Sequence, residues 1–237
     1  MHINLKTHMD EGQTEGVDIR QVAGFEQVSL RAPNMESELE IRQGDCDALV
    51  IEACCPALLS RIKSQVRDGE LRIWIAGSWT ELLKDALTTS LTRERIRYTL
   101  TVRQLTALEF NGIVFVKAEH ISTERLALVV RGMGQVSLDS LSAQLLQVDV
   151  TGACQVNLKG SVLEQRVTIS AMGAYQALEL ESRQASIRLN GPSRATVWAT
   201  DVLDVTISGP GSVDYYGSPR VRKSVMPMGR VVCLGQA

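Results

Sequence analysis

Asn111-Gly112-Ile113-Val114 is followed along the chain by Arg131-Gly132-Met133-Gly134, Thr151-Gly152-Ala153-Cys154 and Ser170-Ala171-Met172-Gly173. Asn190-Gly191-Pro192-Ser193, Ser208-Gly209-Pro210-Gly211 and a degenerate Met226-Pro227-Met228-Gly229 complete the series. The common form is polar–Gly–x–small, and the second position recurs at spacings of 20, 20, 19, 20, 18 and 18. A fixed period in this range marks a solenoid, in which each repeat buries its apolar face only by stacking on its neighbours.

The residues around each motif alternate. Two and four positions before the Gly lie Phe110/Leu108, Val130/Leu128, Val150/Val148, Ile169/Val167, Leu189/Ile187 and Ile207/Val205. Four and six positions after it lie Val116/Ala118, Val136/Leu138, Val156/Leu158, Tyr175/Ala177, Ala195/Val197 and Val213/Tyr215. A period of two means strands with one buried face. Each coil therefore holds a strand, a tight corner and a second strand. A corner needs positive φ or close contact with the coil above, and glycine permits both. The structural corner column is Gly112, Gly132, Gly152, Ala171, Gly191 and Gly209. Ala171 and Pro227 break it: either the corner is not strictly left-handed, or the fourth and last corners differ from the rest. Gly turns also occur in antiparallel meanders. The regular period, the constant side-chain offsets and one Gly turn per twenty residues favour an all-β, single-stranded parallel β-helix.

The chain has 237 residues, 44% apolar and 4% aromatic, as suits a thin solenoid filled with Val, Ile and Leu. Its formal net charge of −2 gives nucleic-acid binding no electrostatic support. No apolar run is long enough to span a bilayer. Residues 1–21 read as a disordered leader without the apolar core of a signal peptide. Residues 22–104 read as an N-terminal β-rich capping part, with strands punctuated by turns such as Asp68-Gly69. A short helix is expected at 80–91, with Thr80 as its N-cap. Residues 105–237 read as β-helix coils. The last strand, Val231-Val232-Cys233-Leu234, has no evident cap, so self-association into a homo-oligomer is expected there.

Phe25-Glu26-Gln27-Val28, Ile41-Arg42-Gln43-Gly44-Asp45, Val66-Arg67-Asp68-Gly69-Glu70-Leu71-Arg72-Ile73 and the later corners belong together. So does the run from Ile207 through Ser208-Gly209-Pro210-Gly211 to Tyr215-Tyr216-Gly217-Ser218-Pro219. This set resembles the bacterial domain family known as the putative autotransporter adhesin head, or GIN, domain, over about Val22 to Leu234. The resemblance implies a β-helix of exported or envelope proteins and carries over no catalytic residue. Ala171, Pro227, Cys154, the 80–91 segment and the missing leader depart from it. An envelope or extracellular location follows from the resemblance; a cytoplasmic one follows if Met1 is the natural start.

The residues carry no catalytic constellation, cofactor loop or metal-ligand spacing. His2, His8 and His120 are scattered, and five cysteines without regular spacing make no disulfide framework. Cys54-Cys55 is a vicinal pair with no nearby ligand, and Cys154 stands as a small residue in a corner. Arg131 near Asp149 is the one acid–base neighbourhood on the outward face before the corners; Asp201, Asp204 and Asp214 are three acids that neighbouring coils bring toward one another, two of them at a turn. The candidate binding face is the exposed polar column Asn111, Arg131, Thr151, Ser170, Asn190 and Ser208, suited to a glycan or a surface protein. The expected function is a non-catalytic surface or envelope module for adhesion or assembly. The rivals are a cytoplasmic β-helix scaffold that self-associates and a carbohydrate-active enzyme.

Overall fold

The computed structural model describes residues 16–53, 56–77 and 95–235. The expected helix at 80–91, the Cys54-Cys55 pair, and His2 and His8 lie outside these residues. Strands β1 (Gly16–Gln21), β2 (Gln27–Gln43), β3 (Ala48–Ala53), β4 (Ile62–Arg67), β5 (Glu70–Ile75) and β6 (Arg95–Val102) form the N-terminal part, with one short helix, α1 (Pro56–Arg61). Then come β7 (Ala107–Ala118), β8 (Ile121–Val150), β9 (Ala153–Ile169), β10 (Gly173–Leu189), β11 (Arg194–Ile207), β12 (Ser212–Tyr216), β13 (Arg220–Val225) and β14 (Arg230–Gly235). From β7 onward each long strand winds round a coil and pairs in parallel with the next. The register matches Phe110 to Val130, Val150 to Ile169 and Leu189 to Ile207. Successive repeats pair in parallel, so the fold is a parallel β-helix of about six turns.

The alternating residues make the core. Leu108, Leu128, Val148, Val167, Ile187 and Val205 stack as one buried column; Phe110, Val130, Val150, Ile169, Leu189 and Ile207 form the next. Past the corner, Val116, Val136, Val156, Tyr175, Ala195 and Val213 are buried likewise. Tyr175 brings a hydroxyl into this interior, and a buried hydroxyl without a partner is costly. It donates to Gln165 Oε1 at 2.8 Å, Gln165 Nε2 donates to Ser182 Oγ at 2.8 Å, and Ser182 Oγ donates to the Trp198 carbonyl at 2.7 Å. Tyr175→Phe should leave the Gln165 carbonyl unpaired and cost about 1–3 kcal/mol in a urea titration. An unchanged midpoint would show that the chain of hydrogen bonds contributes nothing.

The solenoid begins earlier than the corner motif. β2 pairs in parallel with β7, matching Val28 to Leu108, Leu30 to Phe110 and Ala32 to Gly112. Part of the region read as a cap is therefore a first coil, whose corner uses Ala32. Between this coil and β7 the chain runs through β3 to β6. β5 and β6 pair in parallel with the other side of β2, β3 pairs antiparallel to β6, β4 pairs antiparallel to β5 in a hairpin, and β1, which precedes β2, joins β3. Asp68 (φ 53°) and Gly69 (φ 76°) turn the hairpin, the two positive φ values its tight turn requires. Residues 16–21, read as leader, form β1 against β3. Residues 56–61, within the part read as β-rich, form α1 with Pro56 as its first residue, where a missing N–H is harmless.

The corners come in two kinds. Gly112, Gly132 and Gly152 have φ of 130°, 154° and 154°, and Gly112 and Gly132 are paired in the sheet. Ala171, Gly191 and Gly209 lack positive φ. At Gly191 and Gly209 the chain turns over three residues, with Ser193 N–H donating to the Gly191 carbonyl at 2.8 Å and Gly211 N–H to that of Gly209 at 2.9 Å. The central Pro192 and Pro210 suit an inverse γ-turn, whose φ lies close to the value proline imposes. Ala171 is thus tolerated because its corner needs no left-handed residue.

Candidate binding face

The corners set the surface on both sides of them. Asn111, Arg131, Thr151, Ser170, Asn190 and Ser208 are all exposed, one per coil. Each end of the column has its own bonding. Arg131 donates to Glu109 Oε1 of the preceding coil at 2.6 Å, and Asn190 Nδ2 donates to Ser170 Oγ at 3.4 Å. The backbone N–H groups of Thr151, Ser170, Asn190 and Ser208 bond to carbonyls of the coil before at 2.8–2.9 Å, leaving their side chains free to face outward.

A second polar column lies past the corner. Gln135 Nε2 donates to Ser137 Oγ at 3.2 Å, Asn157 Nδ2 to the same oxygen at 3.4 Å, and Gln155 Nε2 to Asn157 Oδ1 at 3.1 Å. Gln176 stands beside Asn157 in the next coil. The outward positions of the same alternation that places Val136 and Val156 inward were the available signal for these residues. Between the two polar columns runs the corner ridge itself, where Met133 is 54% and Met172 65% exposed. The surface thus sets amide and hydroxyl groups on either side of an apolar crest, with few charges.

The carboxylates do not converge. Arg131 meets Glu109 rather than Asp149, whose carboxylate instead accepts from Gln147 Nε2 at 2.9 Å. Asp201 accepts from Arg183 Nε and Thr200 Oγ1, both at 2.9 Å. The Thr200 hydroxyl first, then Arg183, holds this carboxyl below its usual range. Asp204 lies 3.7 Å from Arg222, so the Asp201, Asp204 and Asp214 neighbourhood does not form one cluster. Asp47 borders a recess of about 590 Å³ with Glu26, Asp68 and Arg103. Its carboxylate is occupied by the Arg103 backbone N–H and guanidinium at 2.9–3.2 Å. The Arg103 guanidinium leads in pulling that carboxyl below its usual range, and the pair ties β3 to the end of β6. Among the described residues, no three His, Cys, Asp or Glu side chains are grouped to hold a metal. Burial pushes the Cys154 thiol up to about 11, so it stays protonated at neutral pH and unreactive. No helix among the described residues is long and apolar enough to cross a membrane.

Residues 25–219 match the model of the family described as putative auto-transporter adhesin, head GIN domain. The chain belongs to this family. A putative adhesin from Bacteroides fragilis NCTC 9343 superposes with a TM-score of 0.81 at 20% identity, over 96% of this chain and 100% of that one. A putative lipid binding protein from Parabacteroides distasonis ATCC 8503 gives 0.72 at 17% identity, over 94% and 98%. A putative adhesin from Parabacteroides merdae ATCC 43184 gives 0.68 at 15%, over 97% and 100%. At these identities the likeness establishes the shared fold. A search of curated proteins finds no match to this GIN-domain chain.

Proposed function

We propose that this GIN-domain protein is a non-catalytic adhesion or assembly module of the bacterial surface or envelope, and that it binds through its corner face. The observation that carries this is the pairing of two polar columns, uncharged but for the Arg131–Glu109 pair, with an exposed apolar ridge on a stack of coils. Amides and hydroxyls at strand spacing offer repeated donors and acceptors, and the methionine crest offers adaptable apolar contact. That combination fits a glycan, with its hydroxyl rim and apolar ring faces, or an uncharged stretch of a surface protein. The family description and the adhesin names of the solved relatives support the reading.

A glycan array probed with the purified protein, alongside extracted surface proteins, tests this. Binding should fall about five- to 150-fold in a Gln155→Ala, Asn157→Ala double variant, in line with the loss of two hydrogen-bonding groups at roughly 0.5–1.5 kcal/mol each. Full retention by the variant, or no ligand of either kind, would overturn the corner face as the binding surface. The rival scaffold reading requires copies to meet end to end, and the charge of the last coil opposes two C-terminal ends meeting.

A further inference from the structure

Among the described residues, β13 and β14 are the last rungs at the C-terminal end of the solenoid. β13 pairs on one side with β11, and β14 on one side with β12. Among the described residues no further strand lies on either. The core columns run out at this end: Val221, Val225 and Val231 pack against the core but stay partly exposed. The register matches Leu203 to Val221, Val205 to Lys223 and Ile207 to Val225. Lys223 therefore occupies a core column that holds only apolar residues in the coils before it. It lines a recess of about 260 Å³ at the mouth of the core with Val225, Gly229 and Val231.

Several cations elsewhere meet an acid on the neighbouring strand. Arg97 pairs with Glu52 at 2.9 Å, Arg131 with Glu109 at 2.6 Å, Lys159 with Glu179 at 3.1 Å, and Arg183 with Asp201 at 2.9 Å. Residues 217–237 hold Arg220, Arg222, Lys223 and Arg230 and no acid, in a chain whose net charge is −2. Arg222 reaches back to Asp204. Arg220, Lys223 and Arg230 have no ion pair among the described residues. A second copy meeting this end by twofold symmetry would set four cations against four, which is unfavourable.

We propose that the C-terminal end receives an extended strand from an acidic partner, added to β13 as the next rung of the helix, with the inward pattern apolar–x–acidic–x–apolar. The outer apolar residues cover Val221 and Val225, the acid stacks on Lys223, and the partner's backbone fills the hydrogen-bonding edge that β13 turns away from β11. This is strand addition to an exposed sheet edge, in which the main chain supplies affinity and alternate side chains supply selectivity. Because the pattern reads the same in both directions, it holds for either strand polarity. The contact is separate from the corner face, so the two stand or fall independently.

The experiment uses the whole protein and three fluorescent heptapeptides, TVTETVT, its central Glu→Lys counterpart TVTKTVT, and TVTVTVT, with binding read by anisotropy. Wild-type protein should bind the Glu peptide about tenfold more tightly than the Lys peptide, Lys223→Glu should invert that order, and Lys223→Met should favour TVTVTVT. These factors match opposite-charge against like-charge cross-strand pairs. Thermal melts of each variant separate lost binding from lost folding, and Lys223→Met, which continues the apolar column, should fold at least as well as the wild type. Equal affinity for the Glu and Lys peptides overturns the proposal, as does no peptide binding up to ~1 mM. Concentration-dependent dimers of the wild-type protein in sedimentation would make the occupant a second copy and overturn it too. So would binding to phosphatidylserine vesicles without binding to the Glu peptide.

Discussion

Gly152→Ala should destabilise the protein by roughly 2–5 kcal/mol, whereas Gly209→Ala should change stability by less than about 1 kcal/mol. Both residues occupy the same position of the repeat, so a view based on the motif alone expects equal effects. The structure separates them. A Cβ on Gly152 would sit 2.0 Å from the Gly132 carbonyl oxygen and 2.8 Å from its nitrogen, and the backbone there has φ of 154°. Both contacts are to the main chain of the coil below, which cannot swing aside as a side chain can. Overpacking of this kind costs about 1–3 kcal/mol, and backbone conformations reserved for glycine cost about 1–3 kcal/mol more. A Cβ on Gly209 would come no closer than 3.7 Å to any atom, an ordinary contact, and its φ is not positive. There, restricting the unfolded chain can even favour the folded state by about 0.4–1 kcal/mol. Urea titration of the two variants, with Gly132→Ala as a second case of the first kind, gives the comparison. Equal losses at 152 and 209 would mean that the corners do not come in two kinds.

How much of this was legible depends on how far apart in sequence the contacting residues lie. From Ala107 onward each coil stacks on residues 17 to 20 positions away, so the period, the corner column and the inward columns all appear as repetition. The first coil was not legible because Leu30 stacks on Phe110, 80 positions later. The intervening strands β3 to β6 break the period, and Ala32 replaces the corner glycine. The break at Ala171 was visible as an anomaly but not as a change of turn. Ala171 has no positive φ, and in the corners that follow it, at Gly191 and Gly209, a three-residue turn closes on a hydrogen bond within the corner, with Pro192 and Pro210 as its signal in the sequence.

The candidate site was legible in part for a similar reason. Its pre-corner column follows directly from alternation. The ion partner of Arg131 does not, because Glu109 and Asp149 lie at equivalent diagonal positions in the coils on either side. Only side-chain geometry decides, and Arg131 bonds Glu109 while Gln147 occupies Asp149. The second column, Gln135, Ser137, Gln155 and Asn157, occupies the outward positions of the alternation whose inward positions are Val136, Leu138, Val156 and Leu158, and its residue types vary from coil to coil. Lys223 was visible merely as one of three neighbouring cations. Its place in a core column depends on β13 pairing with β11, and the glycine spacing does not reveal that pairing.

Leu189→Ala should cost roughly 2–5 kcal/mol, as truncations of fully buried leucines do, while Ser208→Ala should stay within about 0.5 kcal/mol. Leu189 is 0% exposed and stacks between Ile169 and Ile207. A solenoid offers such a residue little relief. The coils are held at strand spacing by parallel hydrogen bonds above and below, so the wall cannot collapse into the space left by the missing atoms. The loss should therefore combine the transfer term with most of the cavity term, and lie toward the upper part of the range. Ser208 is exposed in the next coil, and its bond to the Leu189 carbonyl, at 2.8 Å, comes from its backbone N–H. Removing its hydroxyl leaves that bond intact. The two variants thus probe opposite faces of the same corner while sharing one backbone contact. Because each repeat leans on its neighbours, the damage from Leu189→Ala should also spread. Hydrogen exchange should accelerate in β10 and β11 before it does in β7. Comparable losses from the two substitutions would mean that the inward and outward columns are assigned the wrong way round. Acceleration spread evenly along the chain would instead show that the stack unfolds as one unit.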